Sequence, residues 1–549
     1  MLRSLLLSLG VPAALAAQAS PRATSAPSTT TPASAPAAAA RPTLVVFLTV
    51  DQLTEDYFTR YAPQLTGGLR RLWTGGAVFT NAHQDHGTTE TAPGHASTMS
   101  GRFPMHTGIV RNNAGVNDDQ APLVGASGPG ASPFRFRGSA LIDWMRSADP
   151  RTRALSVSRK DRGAILPLGR AKQSVFWWSP DGRFTTSRYY ADTLPTWVQR
   201  FNARDPLAAY RGRDWTPLLP DSAYAEPDSV PYESGGKDFT FPHHLAEDPA
   251  AAARTFAEFP WMDEVTLALA LDGLQTLQLG TGAQTDLLAV SLSTTDAVGH
   301  RFGPDSREAH DQILRLDREL GVFLDSLYRL RDSSRVIVAL TADHGMTSLP
   351  QVHFPGTDPQ RGRADVKRVL DATKARLAAR GLDSATALDF ESGVVLVDRA
   401  ELARGGVPED SLARALVAEL QRVPGVQRVY RRAELTPLAA KGDKFARRWL
   451  HAAPADLPAV AFVTLKPYYY WSTVNYATHG SPHDTDTHVP VIFYGAPFRK
   501  GTYTQFTRVV DMAPTLAAVL GVAPTEPLDG VVLTAALRAA PTGARQAAR

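Results

Sequence analysis

Thr43-Leu-Val-Val-Phe-Leu-Thr-Val-Asp51 is an unbroken apolar and β-branched run closed by a carboxylate. Such a run, without polar alternation, predicts a strand buried on both faces, as in a parallel sheet covered by helices. Leu287-Leu-Ala-Val-Ser-Leu292 and Arg335-Val-Ile-Val-Ala-Leu340 repeat the pattern, and Val489-Pro-Val-Ile-Phe-Tyr494 completes the inner sheet. Between the second and third runs, Ile313, Leu316, Leu320, Phe323 and Leu327 recur at helical spacing. Strand–helix–strand alternation predicts an α/β sandwich with a mostly parallel central sheet and its active site at the carboxyl ends of the strands.

The chain has 549 residues, enough for about three or four domains, or for one large domain carrying an insertion. Residues 42–362 and 477–549 read as the two parts of one catalytic core, the last part including a C-terminal tail. Residues 363–476 read as an inserted α+β subdomain, with an amphipathic helix at Leu412, Leu416 and Leu420 and strands at Val394–Val397 and Ala461–Leu465. The stretch 190–262, rich in Pro, Trp and Asp, reads as a long surface excursion.

Residues 1–19, MLRSLLLSLGVPAALAAQA, carry Arg3, an apolar run too short for a permanent anchor, and small residues at A-x-A spacing, the plan of a secretory leader. Residues 20–41 form a linker dominated by Ala, Pro, Ser and Thr, a composition that cannot bury a core. An exported protein, periplasmic or secreted and without a transmembrane segment, is expected. Lys and Arg number 58 against 54 Asp and Glu, too even a balance for a nucleic-acid grip. There is no cysteine, which excludes disulfides, Cys-ligated zinc, Fe–S clusters and thiol nucleophiles. Any metal must sit on histidine and carboxylate.

Those residues lie at the strand ends. The three core strands run into Asp51, Thr294-Thr295-Asp296 and Thr341-Ala342-Asp343, and histidine accompanies two of them, as Asp296-Ala-Val-Gly-His300 and Asp343-His344-Gly345. One such Asp is ordinarily a helix cap; three at strand ends, two beside a His, point to metal. Asp and His at i and i+4 share a helical face, which suits two ligands of one cation. Carboxylate and imidazole without sulfur fit zinc in a hydrolytic site, ahead of manganese or iron. A further His-Gly pair, His479-Gly480, precedes the last core strand and is favoured over the nearby His483 and His488, since His488 opens a strand.

Gly87-Thr-Thr-Glu-Thr-Ala-Pro-Gly-His95 is a polar, Gly/Pro-broken segment leading into a helix at Ala96-Ser-Thr-Met99. A hydroxyl at a helix start meets backbone N–H groups and the positive dipole end, and a metal can lower its pKa enough to make it a nucleophile. Thr88, Thr89 and Thr91 are all candidates on these grounds.

Taken together, Val50-Asp51-Gln52, Thr91-Ala-Pro-Gly-His95, Asn112-Asn113, Lys160-Asp-Arg162, Asp296-x-x-x-His300, Asp343-His344-Gly345 and His479-Gly-Ser-Pro482 resemble the Thr-nucleophile branch of the alkaline phosphatase superfamily. That branch holds nucleotide pyrophosphatase/phosphodiesterases and secreted bacterial alkaline phosphatases with a Lys/Arg phosphate site. The resemblance runs from residue 43 to about 537. It implies an alkaline-phosphatase-like α/β/α sandwich and two zinc ions per chain, one on Asp296, His300 and His479, the other on Asp51, Asp343, His344 and the Thr91 oxygen. It also selects Thr91 as the nucleophile, passing through a phosphothreonine.

Ser158-Arg-Lys160-Asp-Arg162 resembles the segment that binds phosphate in the monoesterases, and two cations match a dianionic monoester better than a diester. The resemblance therefore implies a phosphatase of small-molecule phosphate monoesters, with Asn112, Lys160 and Arg162 on the phosphoryl oxygens, no nucleic-acid partner, and a monomer. A phosphodiesterase would keep the same ligands and Thr but need an apolar or nucleoside pocket, for which Trp177, Trp178, Tyr189, Tyr190 and Tyr468–Trp471 are candidates. A sulfatase nucleophile derives from Cys or Ser in a short Pro/Arg motif, and none surrounds Thr91. A catalytically dead ligand-binding protein would not need the complete set.

Overall fold

The Leu44–Val50 strand, β1, lies at the middle of a nine-stranded sheet among the described residues, and all of its residues are buried. The computed structural model describes residues 41–538 except 357, 359 and 475, and the expected leader, most of the linker and the last eleven residues lie outside that range. The other strands of the sheet are β2 (Ala77–Phe79), β3 (Ala154–Ser158), β4 (Ser174–Ser179), β5 (Arg183–Thr185), β6 (Asp286–Leu292), β7 (Val336–Thr341), β8 (Val491–Tyr494) and β9 (Gly501–Tyr503). Their order is β9-β2-β8-β7-β1-β6-β3-β4-β5.

The five strands from β7 to β4 are parallel, while β8 pairs antiparallel with both β7 and β2, and β5 antiparallel with β4. The four strands expected from apolar runs are thus all present, the fourth reversed relative to its neighbour. Register puts Val50 beside Leu292 and Thr49 beside Thr341, so the residues that follow β1, β6 and β7 emerge together at one edge.

Helices cover the sheet, as its uniformly apolar strands require. On one side Arg307–Leu330 packs against Trp261–Thr276 and Gly68–Gly75. Its Ile313, Leu316, Leu320, Phe323 and Leu327 are all buried. Another group brings together α1 (Thr91–Ser100), α2 (Asp161–Ile165) and Met512–Leu520. The stretch 190–262 is less superficial than its composition suggests. It forms helices at Thr196–Ala203 and Pro249–Thr255, and its Trp197 and Trp215 are buried in the main core, because large indoles bury more area than the surrounding Pro and Asp expose.

A second sheet of four antiparallel strands follows β7, in the order Leu388–Glu391, Val394–Val397, Ala459–Leu465, Val426–Arg431. Alternation along it is of period two. Val395, Val397 and Val463 pack with Leu416 and Leu420 of Glu409–Leu420, whereas Val394, Leu396 and Phe462 pack with Trp449 of Lys444–Ala452. Arg363–Ala364 and Tyr470–Trp471 pair in parallel, so the chain enters and leaves this layer side by side.

Candidate metal centre and nucleophile

Asp51 and Asp343 continue from β1 and β7, and Asp296 and His300 lie on one face of the helix Thr294–Phe302 that follows β6. Asp51, Asp296 and Asp343 are at most 2% exposed. Asp51 Oδ1 is 3.3 Å from His344 Nε2, and Asp343 Oδ2 is 3.6 Å from the same nitrogen. Asp296 Oδ1 is 3.3 Å from His300 Nε2 and 3.6 Å from His479 Nε2. Six of the seven candidate residues therefore fall into two adjoining groups. Asp51–Asp343–His344 and Asp296–His344–His479 each bring three donor atoms within 4.8 Å of one another. The His344 ring is stacked 3.6 Å from that of His479, and His300 Nε2 stands against both Asp296 and His479.

Each imidazole is oriented from behind. His300 Nδ1 donates to the Ala477 carbonyl at 2.6 Å, His344 Nδ1 to the Gly345 carbonyl at 2.9 Å and His479 Nδ1 to the Thr89 carbonyl at 2.7 Å. Those bonds fix the tautomer and turn each Nε2 lone pair inward, as metal-ligating histidines require. The two Nε2 atoms of His300 and His479 face each other at 3.2 Å, an arrangement that a cation between them relieves. Asp51 Oδ1, Asp296 Oδ1 and His344 Nε2 are buried without a hydrogen bond among the described residues, the condition of ligand atoms rather than of structural polar groups. The donor set fits dications with oxygen and nitrogen preference.

The electrostatics agree. Burial, with the charges of Asp296 and Asp343, pushes the Asp51 carboxyl up. Burial also raises Asp296, but His300 and Lys160 outweigh it and hold that carboxyl well below the usual range. Burial together with His344 and His300 pushes His479 well below the ordinary imidazole value, keeping it neutral. Three buried carboxylates beside a neutral His479 attract cations.

Helix α1 begins at Thr91, earlier than the glycine and proline suggested. Pro93 falls in the first turn, where the missing N–H has no intrahelical acceptor to lose. Of the three candidate hydroxyls, Thr89 Oγ1 is committed to the Ser481 carbonyl at 2.8 Å, whereas Thr91 Oγ1 lies 3.1 Å from Lys160 Nζ. Lys160 Nζ also stands 2.6 Å from Asp51 Oδ2 and 2.6 Å from Asp296 Oδ2. Thr91, Lys160 and both donor groups thus meet at one point.

Asn112 Oδ1 accepts from Ala92 N at 2.9 Å, leaving the donor end of its amide for another acceptor. Arg162 stands further off. Its guanidinium pairs with Asp161 at 3.4 Å, while its Nε is buried without a hydrogen bond among the described residues. His483 and His488 turn elsewhere, to the carbonyls of Leu465 and Thr80. Trp177 and Trp178 are buried on β4, and the Tyr470 hydroxyl donates to the Thr347 carbonyl, so these three belong to the packing.

Two partners escaped the sequence reading. His95 Nδ1 lies 2.9 Å from the Thr91 carbonyl and 3.1 Å from Asp343 Oδ2, while its Nε2 accepts from Ser291 Oγ at 2.8 Å. The Glu90 carboxylate accepts from Asn112 N at 2.6 Å and from Ser392 Oγ. Position next to the threonine was the available signal for Glu90, and the i+4 spacing from Thr91 for His95.

A family model described as type I phosphodiesterase / nucleotide pyrophosphatase matches residues 45–382. Alkaline phosphatase PhoK of Sphingomonas sp is 32% identical over 90% of this chain and 91% of its own length. Alkaline phosphatase PafA of Elizabethkingia meningoseptica is 30% identical over 87% of this chain and 92% of its own. The crystal structure of wild-type PafA superposes with a TM-score of 0.83 at 28% identity, covering 90% of this chain and 99% of that one.

Proposed function

The chain belongs to the family of type I phosphodiesterases and nucleotide pyrophosphatases, within the alkaline phosphatase superfamily, and on that basis we propose that it is an alkaline phosphatase, a phosphoric monoester hydrolase that uses two zinc ions and Thr91. Relatives named alkaline phosphatase along nearly the whole chain support monoester hydrolysis. Asp296, His300 and His479 would hold one zinc, and Asp51, Asp343, His344 and Thr91 Oγ1 the other. When bound, zinc supplies Lewis acidity that lowers the hydroxyl pKa and offsets charge on the leaving oxygen.

The observation that carries the monoester reading is Lys160 Nζ at 3.1 Å from Thr91 Oγ1. A cation beside the attacking oxygen serves a dianionic phosphoryl group more than a monoanionic diester. Thr91 Oγ1 attacks phosphorus in line, forming an O–P bond as the ester P–O bond breaks and the alcohol departs. Water then cleaves the phosphothreonine, returning Thr91 and releasing inorganic phosphate. Throughout, Asn112, Lys160 and Arg162 hold the equatorial oxygens, so positioning and electrostatics account for most of the rate.

The protein acts, on this reading, as an exported monomer, periplasmic or secreted, with residues 1–19 as its leader and residues 363–476 as an insertion beside the site. No helix among the described residues is long and apolar enough to cross a membrane. The test is kcat/KM of the zinc-loaded protein on p-nitrophenyl phosphate and on bis(p-nitrophenyl) phosphate at alkaline pH. Strong preference for the monoester is expected, and preference for the diester would move the activity to the phosphodiesterases.

A further inference from the structure

Glu90 immediately precedes Thr91 and is 6% exposed, yet it belongs to neither group of metal-donor atoms. Its two carboxylate oxygens have different partners. Oε2 accepts from the backbone N of Asn112 at 2.6 Å, and Oε1 accepts from Ser392 Oγ. The Asn112 side-chain oxygen in turn accepts from Ala92 N at 2.9 Å, at the start of α1. Glu90, Asn112 and the first turn of α1 therefore close a loop of hydrogen bonds around the nucleophile. With backbone and amide oxygen both engaged, the Asn112 amide has one orientation, with its NH2 group left over.

The Ser392 end comes from a different layer. Ser392 and Gly393 form the two-residue turn between Leu388–Glu391 and Val394–Val397, with φ of 46° and 87°, the conformation that suits a tight hairpin. A Cβ on Gly393 would lie 2.7 Å from the Val463 carbonyl oxygen, so this turn is pressed onto its own sheet. The same hairpin holds the residue before Asn112: Arg111 Nη1 pairs with Asp389 at 2.9 Å and with Glu391 at 2.8 Å. One hairpin of the second sheet thus grips both Glu90 and Arg111.

We propose that Glu90 is a positioning residue for phosphoryl transfer, fixing the Asn112 amide against the phosphoryl group, and that the Ser392 turn braces Glu90 from the second sheet. The proposal rests on the reading of Asn112 as a phosphoryl-oxygen donor. A carboxylate is suited to the task because it accepts from two directions with charge-assisted strength and sits at a helix N-terminus.

The experiment is a double-mutant cycle on the zinc-loaded enzyme, with Glu90→Ala and Asn112→Ala alone and together. It reads kcat/KM for p-nitrophenyl phosphate, Ki for inorganic phosphate, zinc content and melting temperature. Glu90→Ala should lower kcat/KM by about tenfold or more in the native background, raise Ki, leave zinc content unchanged, and cost less than about twofold where Asn112 is already alanine. Ser392→Ala should give a smaller loss that also vanishes in the Asn112→Ala background. Equal losses in both backgrounds, or none in the first, would overturn the positioning role while leaving Asn112 in place. A silent Asn112→Ala would overturn the reading of Asn112 and this proposal with it. Should Glu90→Ala not fold, Glu90→Gln, which keeps one accepting oxygen, carries the same cycle with an intermediate loss.

Discussion

Lys160 and Thr91 stand 69 positions apart in the chain and 3.1 Å apart at their side-chain tips, ammonium to hydroxyl. Lys160 is held just beyond β3 and Thr91 at the start of α1, so the pair is created by the order of strands in the sheet. Lys160 also contacts one carboxylate from each donor group. It offsets part of the negative charge that convergence of Asp51, Asp296 and Asp343 creates.

Thr91→Ala should abolish turnover while zinc content, measured by elemental analysis, stays at that of the native protein. The three imidazoles proposed as ligands are held by hydrogen bonds that do not involve the hydroxyl. Activity above a few per cent would place the nucleophile elsewhere.

Lys160→Ala is expected to lower monoester kcat by about 10²-fold or more, the scale of losing one donor that meets transition-state charge. Arg162→Ala should cost less, because its guanidinium is shared with Asp161 and is partly solvated. Both losses should be smaller on the diester, and parallel kinetics on the two p-nitrophenyl esters decide this.

Gly94→Ala sets two effects against each other. Alanine is the better helix former by about 1 kcal/mol, but its Cβ would lie 2.2 Å from the Asp343 carbonyl oxygen. Overpacking against backbone costs about 1–3 kcal/mol, so the melting temperature should fall. Displacing α1 from the Asp343 loop by about 1 Å should cost about 10²-fold in kcat/KM. A stabilised, fully active variant would show that this contact yields freely.

Asp85 receives the guanidinium groups of Arg447 at 2.9 Å and of Arg448 at 3.3 Å, and Arg448 is buried. Asp85→Ala should destabilise by about 3 kcal/mol, since it leaves a buried cation with fewer partners. Denaturant unfolding of Asp85→Ala, and of its combination with Arg448→Leu, checks the assignment. The second substitution should recover part of the loss.

Glu233 supplies a pH test away from the metal ligands. Burial, then the charges of Glu308, Asp305 and Asp228, push its carboxyl from 4.5 up to about 9. Below pH 4.5 both folded and unfolded chains hold the proton. Between there and about 9 the unfolded chain releases it first, so stability falls as pH rises, and above about 9 the loss is complete. Glu233→Gln should therefore raise the melting temperature at pH 9 and change it little at pH 4, as a fluorimetric melting series will show. A uniform change at both pH values would sink this account.

Much of the core was legible because β1, β6 and β7 are long and mostly apolar without polar alternation, as a doubly covered strand is. The aspartates that follow them were legible for the same reason: a carboxylate after such a strand needs an explanation. Short strands escaped. Ala77–Phe79 and Gly501–Tyr503 have three residues each, too few to show a period, and they form by adding in turn to the Val491–Tyr494 side of the sheet. Resemblance to a family was needed to separate Thr91 from Thr88 and Thr89. The roles of His95 and Glu90 depend on partners as distant in sequence as Asp343 and Ser392, which their local spacing from Thr91 does not reveal.

Tyr470 closes the parallel pair through which the chain enters and leaves its second layer, donating to the Thr347 carbonyl at 2.6 Å and accepting from Thr478 N at 3.2 Å. Those two residues stand just after His344 and just before His479. The whole excursion is therefore spliced in at a clasp between two histidine loops, and the clasp holds whatever the intervening hundred residues do. A change in the length of that layer would therefore remodel the room beside Thr91 while the two histidine loops stay clasped.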